Sequence, residues 1–147
     1  MNKINLDKIK IIEISPEDTL DLRHRVLWPD KPIGYCIING DNSALHLGAF
    51  YEEKLTCIAS IFKEPRAARL RKFATEPEYQ SFGVGTKMIE TIINKLTQED
   101  VTDFWCDARE SATNFYSKFG MKRIGGSFYK GEIPYFKMSM QLTKINN

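Results

Sequence analysis

Residues 69–86 read Arg69-Leu70-Arg71-Lys72-Phe73-Ala74-Thr75-Glu76-Pro77-Glu78-Tyr79-Gln80-Ser81-Phe82-Gly83-Val84-Gly85-Thr86. Residues 68–75 follow Glu64-Pro65 and predict a strand. Residues 76–85 carry Pro77, Gly83 and Gly85 and predict a loop. Over residues 86–98, Met88, Ile89, Ile92, Ile93 and Leu96 recur three and four apart, which is one face of a helix. A helix start leaves its first N–H groups without intrahelical acceptors and carries partial positive charge. Glycines beside it let a ligand approach the backbone with no Cβ in the way. The combination predicts an anion site suited to phosphate or pyrophosphate. The pattern is Gln80-x-x-Gly83-x-Gly85. It is not a dinucleotide fingerprint, because Met88 stands at the third glycine position, and no Gly-Lys-Ser/Thr follows to make a Walker A loop. A tight strand-to-helix turn without a ligand is the plainer alternative.

Upstream, residues 10–14 predict a strand. Ser15 is placed as an N-cap, Pro16 at the first helical position and Glu17 and Asp18 in the first turn of a helix running to about Trp28, where Pro29 and Pro32 stop it. Residues 29–43 read as a long loop, either functional or holding a short element. Residues 44–51 and 55–62 predict strands joined through Glu52-Glu53-Lys54 as a hairpin. Downstream, residues 103–107 predict a strand and 111–119 a helix, with Ser111 as N-cap and Gly120 at C′. Residues 121–129 and 135–142 predict strands joined through Lys130-Gly131-Glu132-Ile133-Pro134. The class is mixed α/β (α+β), and at 147 residues without linker or repeat it reads as a single domain, 1–147.

Hydrophobic residues make up 42% and the net charge is +2, which excludes a chain disordered throughout. The longest apolar runs, 33–38 and 47–51, are too short to span a membrane. The first residues alternate apolar and charged side chains and show no signal-peptide core. Cys36, Cys57 and Cys106 are odd in number and lack ligand spacing, so neither a disulfide framework nor a cysteine-based zinc site is expected. They read as reduced, buried thiols of a cytoplasmic protein. His24 and His46 have no ligand-spaced partner, so no metal is expected. A net charge of +2 does not mark a nucleic-acid binder. The cluster Arg66, Arg69, Arg71 and Lys72 reads first as the solvated side of a strand and second as a surface for an anionic ligand.

Residues 69–86 resemble the acyl-CoA motif of the GNAT N-acetyltransferase superfamily. Phe115-Tyr116-Ser117-Lys118-Phe119-Gly120-Met121 resembles that family's second signature, with Met121 in place of its final Phe. The resemblance implies a GNAT-like fold: a mixed, mostly antiparallel sheet of about six or seven strands, helices on both faces and a central splayed parallel pair. It implies acetyl-CoA as cosubstrate. Phe73, Ala74 and Thr75 would pair their backbone with the pantetheine arm, and a bulge near Phe73 would serve the splay. Gln80, Ser81, Phe82, Gly83, Val84, Gly85 and Thr86 would wrap the pyrophosphate. Tyr116 would lie near the sulfur, and Lys118 could approach the phosphates. Where the family often carries Asn against the pantetheine, this chain has Arg109, which could meet a phosphate or an acidic substrate. Asn114 is no clear substitute.

The expected reaction is direct attack of a primary amine, on a small molecule or an exposed peptide or protein, on the thioester. The amine must lose a proton to a base, a backbone N–H would stabilise the oxyanion, and the leaving thiolate can take a proton from Tyr116. Glu76, just after the 68–75 strand, and Asp107, at the end of the 103–107 strand, are the candidate bases. The acceptor would meet the loops at 29–43 and 127–134, where Trp28, Tyr35, Phe128 and Tyr129 could form an aromatic pocket or serve as core or dimer contacts. The protein would be a monomer or homodimer, with neither nucleic acid nor membrane as partner. The alternative readings are a non-catalytic acyl-CoA-binding regulatory module and a nucleotide-binding protein using Gly83 and Gly85 for another phosphate.

Overall fold

A computed structural model describes residues 4–143. Seven strands form the sheet: β1 (Ile9–Ile14), β2 (Leu45–Tyr51), β3 (Lys54–Glu64), β4 (Ala67–Thr75), β5 (Asp103–Arg109), β6 (Lys122–Lys130) and β7 (Ile133–Gln141). Their hydrogen-bonded order is β1-β2-β3-β4-β5-β7-β6. The pairs β1–β2, β2–β3, β5–β7 and β6–β7 are antiparallel. β4 and β5 pair parallel, from Ala67 opposite Asp103 to Leu70 opposite Cys106, over the first four residues of each. The mixed sheet with a central parallel pair is thus the expected one. Three α-helical segments accompany it: α1 (Leu20–Leu22), α2 (Val84–Gln98) and α3 (Thr113–Ser117).

The chain resolves into two compact units. One holds the residues up to Phe62 with Lys72–Ile92; the other holds Lys63–Arg71 with the residues from Ile93 onward. In the first, β3 is buried without interruption from Thr56 to Ile61, as a strand covered on both faces must be. Leu22, Ile58 and Ala74 form its centre, with Ile14, Val26, Leu27 and Leu55 packed around them. The predicted stripe on α2 contributes Met88, Ile89 and Ile92. In the second unit β5 alternates strictly, burying Phe104, Cys106 and Ala108. No helix among the described residues is long and apolar enough to cross a membrane.

Several predicted boundaries shift. Ser15 does cap: its hydroxyl accepts from the Asp18 N–H while its own N–H donates to the Asp18 carboxylate, both at 3.2 Å. This is a capping box with Asp in place of Glu. Yet the expected helix to Trp28 becomes a 3-10 turn (Glu17–Thr19), the single turn α1 and a π turn (Arg23–Leu27). The π turn begins at Arg23, whose guanidinium is 0% exposed. It donates to both Asp41 carboxylate oxygens at 2.8 and 2.9 Å, to the Cys36 carbonyl at 2.9 Å and to Ser60 Oγ at 2.9 Å. His46 closes the network against Ser60 Oγ and the Asp41 carbonyl at 2.7 and 2.8 Å. This buried network orders the 29–43 stretch, which carries two 3-10 turns, Ile33–Cys36 and Asp41–Ser43. Helix α2 begins two residues earlier than expected, so Gly85 lies in its first turn and not in the loop. Ser111 is not the N-cap expected: it lies inside a 3-10 turn, Glu110–Ala112, ahead of α3. The β6–β7 link is shorter than expected, with Lys130 opposite Ile133 across Gly131 and Glu132, because Gly131 at φ +62° supplies the left-handed residue of a two-residue turn.

Candidate active site

β4 is the first component. Lys72 has φ +54°, a left-handed value that breaks the regular extended strand one residue before Phe73, where a bulge was expected. Such a conformation costs a non-glycine residue about 1–3 kcal/mol. The Lys72 ammonium lies 3.9 Å from the centre of the Trp28 ring, a favourable cation–π contact. Beyond it Ala74 is buried, Phe73 and Thr75 are half-buried, and Thr75 Oγ1 donates to Cys57 Sγ at 3.4 Å. Burial lifts the Cys57 thiol to about 12, against a smaller lowering by that bond.

The loop after β4 is tied back to it, because the Gln80 side-chain amide donates to the Thr75 carbonyl at 2.9 Å. Ser81 at φ +69° and Gly83 at φ +92° then turn the chain through two left-handed residues into α2. The Gly83 carbonyl accepts from the Lys87 N–H at 3.0 Å. The amides of Val84, Gly85 and Thr86 precede that bond and have no intrahelical acceptor. A Cβ on Gly83 would stand 3.1 Å from Leu6 Cδ1, so glycine answers both the backbone conformation and the close approach. Val84 is buried, Phe82 and Gly85 are half-buried, and Gln80, Ser81 and Thr86 are exposed. A turn of left-handed backbone running into the positive end of a helix suits the oxygens of a diphosphate.

At the junction of strand and loop stands Glu76, buried, its N–H donating to the Thr56 carbonyl at 2.7 Å. Both its carboxylate oxygens accept from Arg25, each at 2.7 Å. Arg25 also donates to Asp21 through Nε at 3.0 Å and Nη2 at 2.9 Å. The Arg25 hydrogen bonds hold the Glu76 carboxyl below the usual range, against a smaller upward push from burial. As a proton acceptor Glu76 is therefore weakened, and its charge is fixed in place. Sequence reasoning did not single out Arg25; the i, i+4 spacing from Asp21 was the available signal.

In the second unit Tyr116 is 8% exposed and meets the Phe115 ring edge-on at 5.1 Å. Gly120, at φ +103°, ends the segment as expected, donating its N–H to the Ser117 carbonyl. Lys118 is exposed. Asp107 accepts from Arg69 at 2.8 Å and lies 3.6 Å from the Lys130 ammonium, so the other candidate base is ion-paired too. Arg109 is exposed and lines an open cleft with Glu110, Ser111, Ile133 and Pro134. Of the four aromatic residues named for the acceptor, Trp28 and Tyr35 meet edge-on at 5.0 Å, Phe128 stacks on Tyr135 at 6.0 Å and Tyr129 is exposed.

A family model described as acetyltransferase (GNAT) domain matches residues 30–142. The chain is 35% identical over 129 residues to the uncharacterized N-acetyltransferase YitI of Bacillus subtilis (strain 168), covering 82% of this chain and 87% of that one. Its fold superposes on the ribosomal-protein-S18-alanine N-acetyltransferase of Escherichia coli with TM-score 0.79 at 17% identity, over 94% of this chain and 96% of that one. It also superposes on a GNAT family acetyltransferase from Elizabethkingia anophelis with acetyl-CoA bound, with TM-score 0.71 at 15% identity, over 92% and 99%. The structural likenesses agree on the fold, and the family match and the Bacillus relative carry the assignment: the chain is an acyltransferase that belongs to the GNAT acetyltransferase family.

Proposed function

We propose that the protein transfers an acetyl group from acetyl-CoA to a primary amine of a small molecule or of an exposed peptide. The observation that carries this reading is the left-handed turn at Ser81 and Gly83 leading into the N-terminal amides of α2 at Val84, Gly85 and Thr86. Acetyl-CoA supplies the activated acyl group. The backbone of Gln80 to Thr86 grips its diphosphate. Phe73, Ala74 and Thr75 align the pantetheine along β4, and the exposed Lys118 approaches the phosphates. Tyr116 gives its phenolic proton to the departing sulfur; a phenol near 10 is a weaker acid than a thiol near 8.5, so the transfer is uphill by about 2 kcal/mol and is drawn forward by the breaking of the C–S bond.

The amine's proton needs a different account from a strongly basic carboxylate, because Glu76 and Asp107 both sit in ion pairs. Glu76, held charged by Arg25, orients the ammonium of the acceptor and the water that removes its proton. Arg25 is thereby a positioning residue. Titration calorimetry with acetyl-CoA, followed by thiol release across a panel of amines, tests the proposal. Binding together with amine-dependent release is expected; the absence of both defeats it. Binding without release from any amine would instead return the non-catalytic reading.

A further inference from the structure

β5 buries one face and opens the other, and β6 is exposed along nearly its whole length. Because Phe104, Cys106 and Ala108 point inward, Asp103, Trp105, Asp107 and Arg109 share the opposite face of β5. Register carries that face across the sheet. Asp107 stands opposite Lys137, Lys137 opposite Ile124, and Lys122 opposite Ser139; Lys130 pairs with Ile133 beyond. Arg69 joins it opposite Trp105. Five cations, Arg69, Arg109, Lys122, Lys130 and Lys137, thus face two carboxylates, Asp103 and Asp107. The whole chain has a net charge of only +2, so its positive excess is gathered here. Lys122, Lys130 and Lys137 are exposed, and Ile124 among them is 51% exposed. β6 ends the sheet order, so among the described residues one side of its backbone is an open edge.

We propose that this face and the β6 edge bind an extended acidic peptide segment. Main-chain bonds along the edge would supply affinity, and alternate carboxylates would meet Lys122, Lys130 and Lys137. A nucleic acid fits less well, because the rings here are already engaged. Arg69 and Lys137 lie over Trp105 at 4.7 and 4.6 Å, Lys130 lies over Tyr135 at 4.6 Å, and Phe128 stacks on Tyr135. Bases need free aromatic faces to stack on. The Asp107 carboxylate between Arg69 and Lys130 shows how an acidic group is held on this surface. That the segment delivers an acceptor amine rests on the proposed amine acetylation; the docking itself does not.

Fluorescence anisotropy tests the docking directly. The probe is a labelled peptide of nine residues, the length of β6, alternating Glu and Val. The comparators are a Lys-Val peptide of the same length and a single-stranded oligonucleotide of equal charge. The acidic peptide is expected to bind, and to weaken about tenfold both in high salt and in the double variant Lys122→Glu, Lys137→Glu. Calorimetric acetyl-CoA binding by the same variant is expected unchanged, which shows that the fold is intact; Lys122→Gln, Lys137→Gln repeats the comparison with a milder change. Equal binding of the two peptides, or no loss in either variant, overturns the proposal. Tighter binding of the oligonucleotide overturns it in favour of nucleic acid. A wild-type protein that binds the acidic peptide but not acetyl-CoA would refute the acetylation reading while leaving the docking intact.

Discussion

Glycine does its work in this protein where a side chain would meet both its own backbone and a neighbour. Gly83 has φ +92° and Leu6 waits 3.1 Å from where a Cβ would be. Gly83→Ala should therefore cost about 1–2 kcal/mol in urea unfolding and weaken acetyl-CoA binding by calorimetry, because the turn aims the α2 amides. Gly34 has nothing within 4 Å of its would-be Cβ, so Gly34→Ala should stay within about 0.5 kcal/mol of wild type. Equal costs for the two would remove the special role of the turn. Tyr116 makes a different kind of demand, since its hydroxyl is asked to act only when the sulfur leaves. Tyr116→Phe should lower kcat about a hundredfold with the calorimetric Kd for acetyl-CoA changed less than about twofold. A fall in binding with kcat preserved would make the ring a packing residue. Burial raises Cys57 and Cys106 to about 12 and pushes Cys36 up as well. At pH 8 an aromatic disulfide reagent should titrate all three thiols in denaturant and none promptly in the native protein; prompt native reaction would contradict their burial.

At the scale of elements, the buried Arg23–Asp41 pair holds the 29–43 stretch to β2 and β3 through His46 and Ser60. Removing one partner strands the other charge in the interior. Asp41→Ala should cost about 3–5 kcal/mol, read as a lowered urea midpoint with an unchanged slope. A loss below about 1 kcal/mol would show that the network orders the loop without stabilising the fold. This element also marks where the sequence could and could not be read. β4, the following loop and α2 were legible because strand, glycines and a 3.6-residue stripe are local signals. The interrupted helix at 17–27 was not, because its form depends on Arg23 reaching Asp41 and Ser60, which lie 18 and 37 residues away. The Ser15–Asp18 box was locally correct and still did not secure a long helix. Likewise Glu76 was found as an acid at a strand end, but its pairing with Arg25 spans 51 residues and leaves no local trace. The left-handed Lys72 was approached only through the family resemblance, since lysine gives no hint of a positive φ.

Across the whole molecule, the charges that hold separated segments together belong to carboxylates, and this fixes the sign of the response to pH. Burial alone would raise the Asp41 carboxyl, yet the Arg23 hydrogen bonds and the Ile38 amide outweigh it and hold it low. Arg25 holds both Glu76 and Asp21 low. A carboxyl whose folded value lies below its unfolded value contributes stability that is complete above the unfolded value, about 3.9 for Asp and 4.3 for Glu. That contribution disappears as pH falls through the lowered folded value. The urea midpoint should therefore stay level from about pH 7 to 5 and fall increasingly below about pH 4. Glu76→Gln should unfold more easily than wild type at pH 7, and the difference should shrink towards zero as the wild-type carboxyl is protonated at low pH. Arg25→Gln, which removes the other half of the pair, should give the same convergence. A wild-type midpoint that drops mainly between pH 7 and 5, or a Glu76→Gln deficit that persists undiminished near pH 2, would assign the acid response to groups other than these ion pairs.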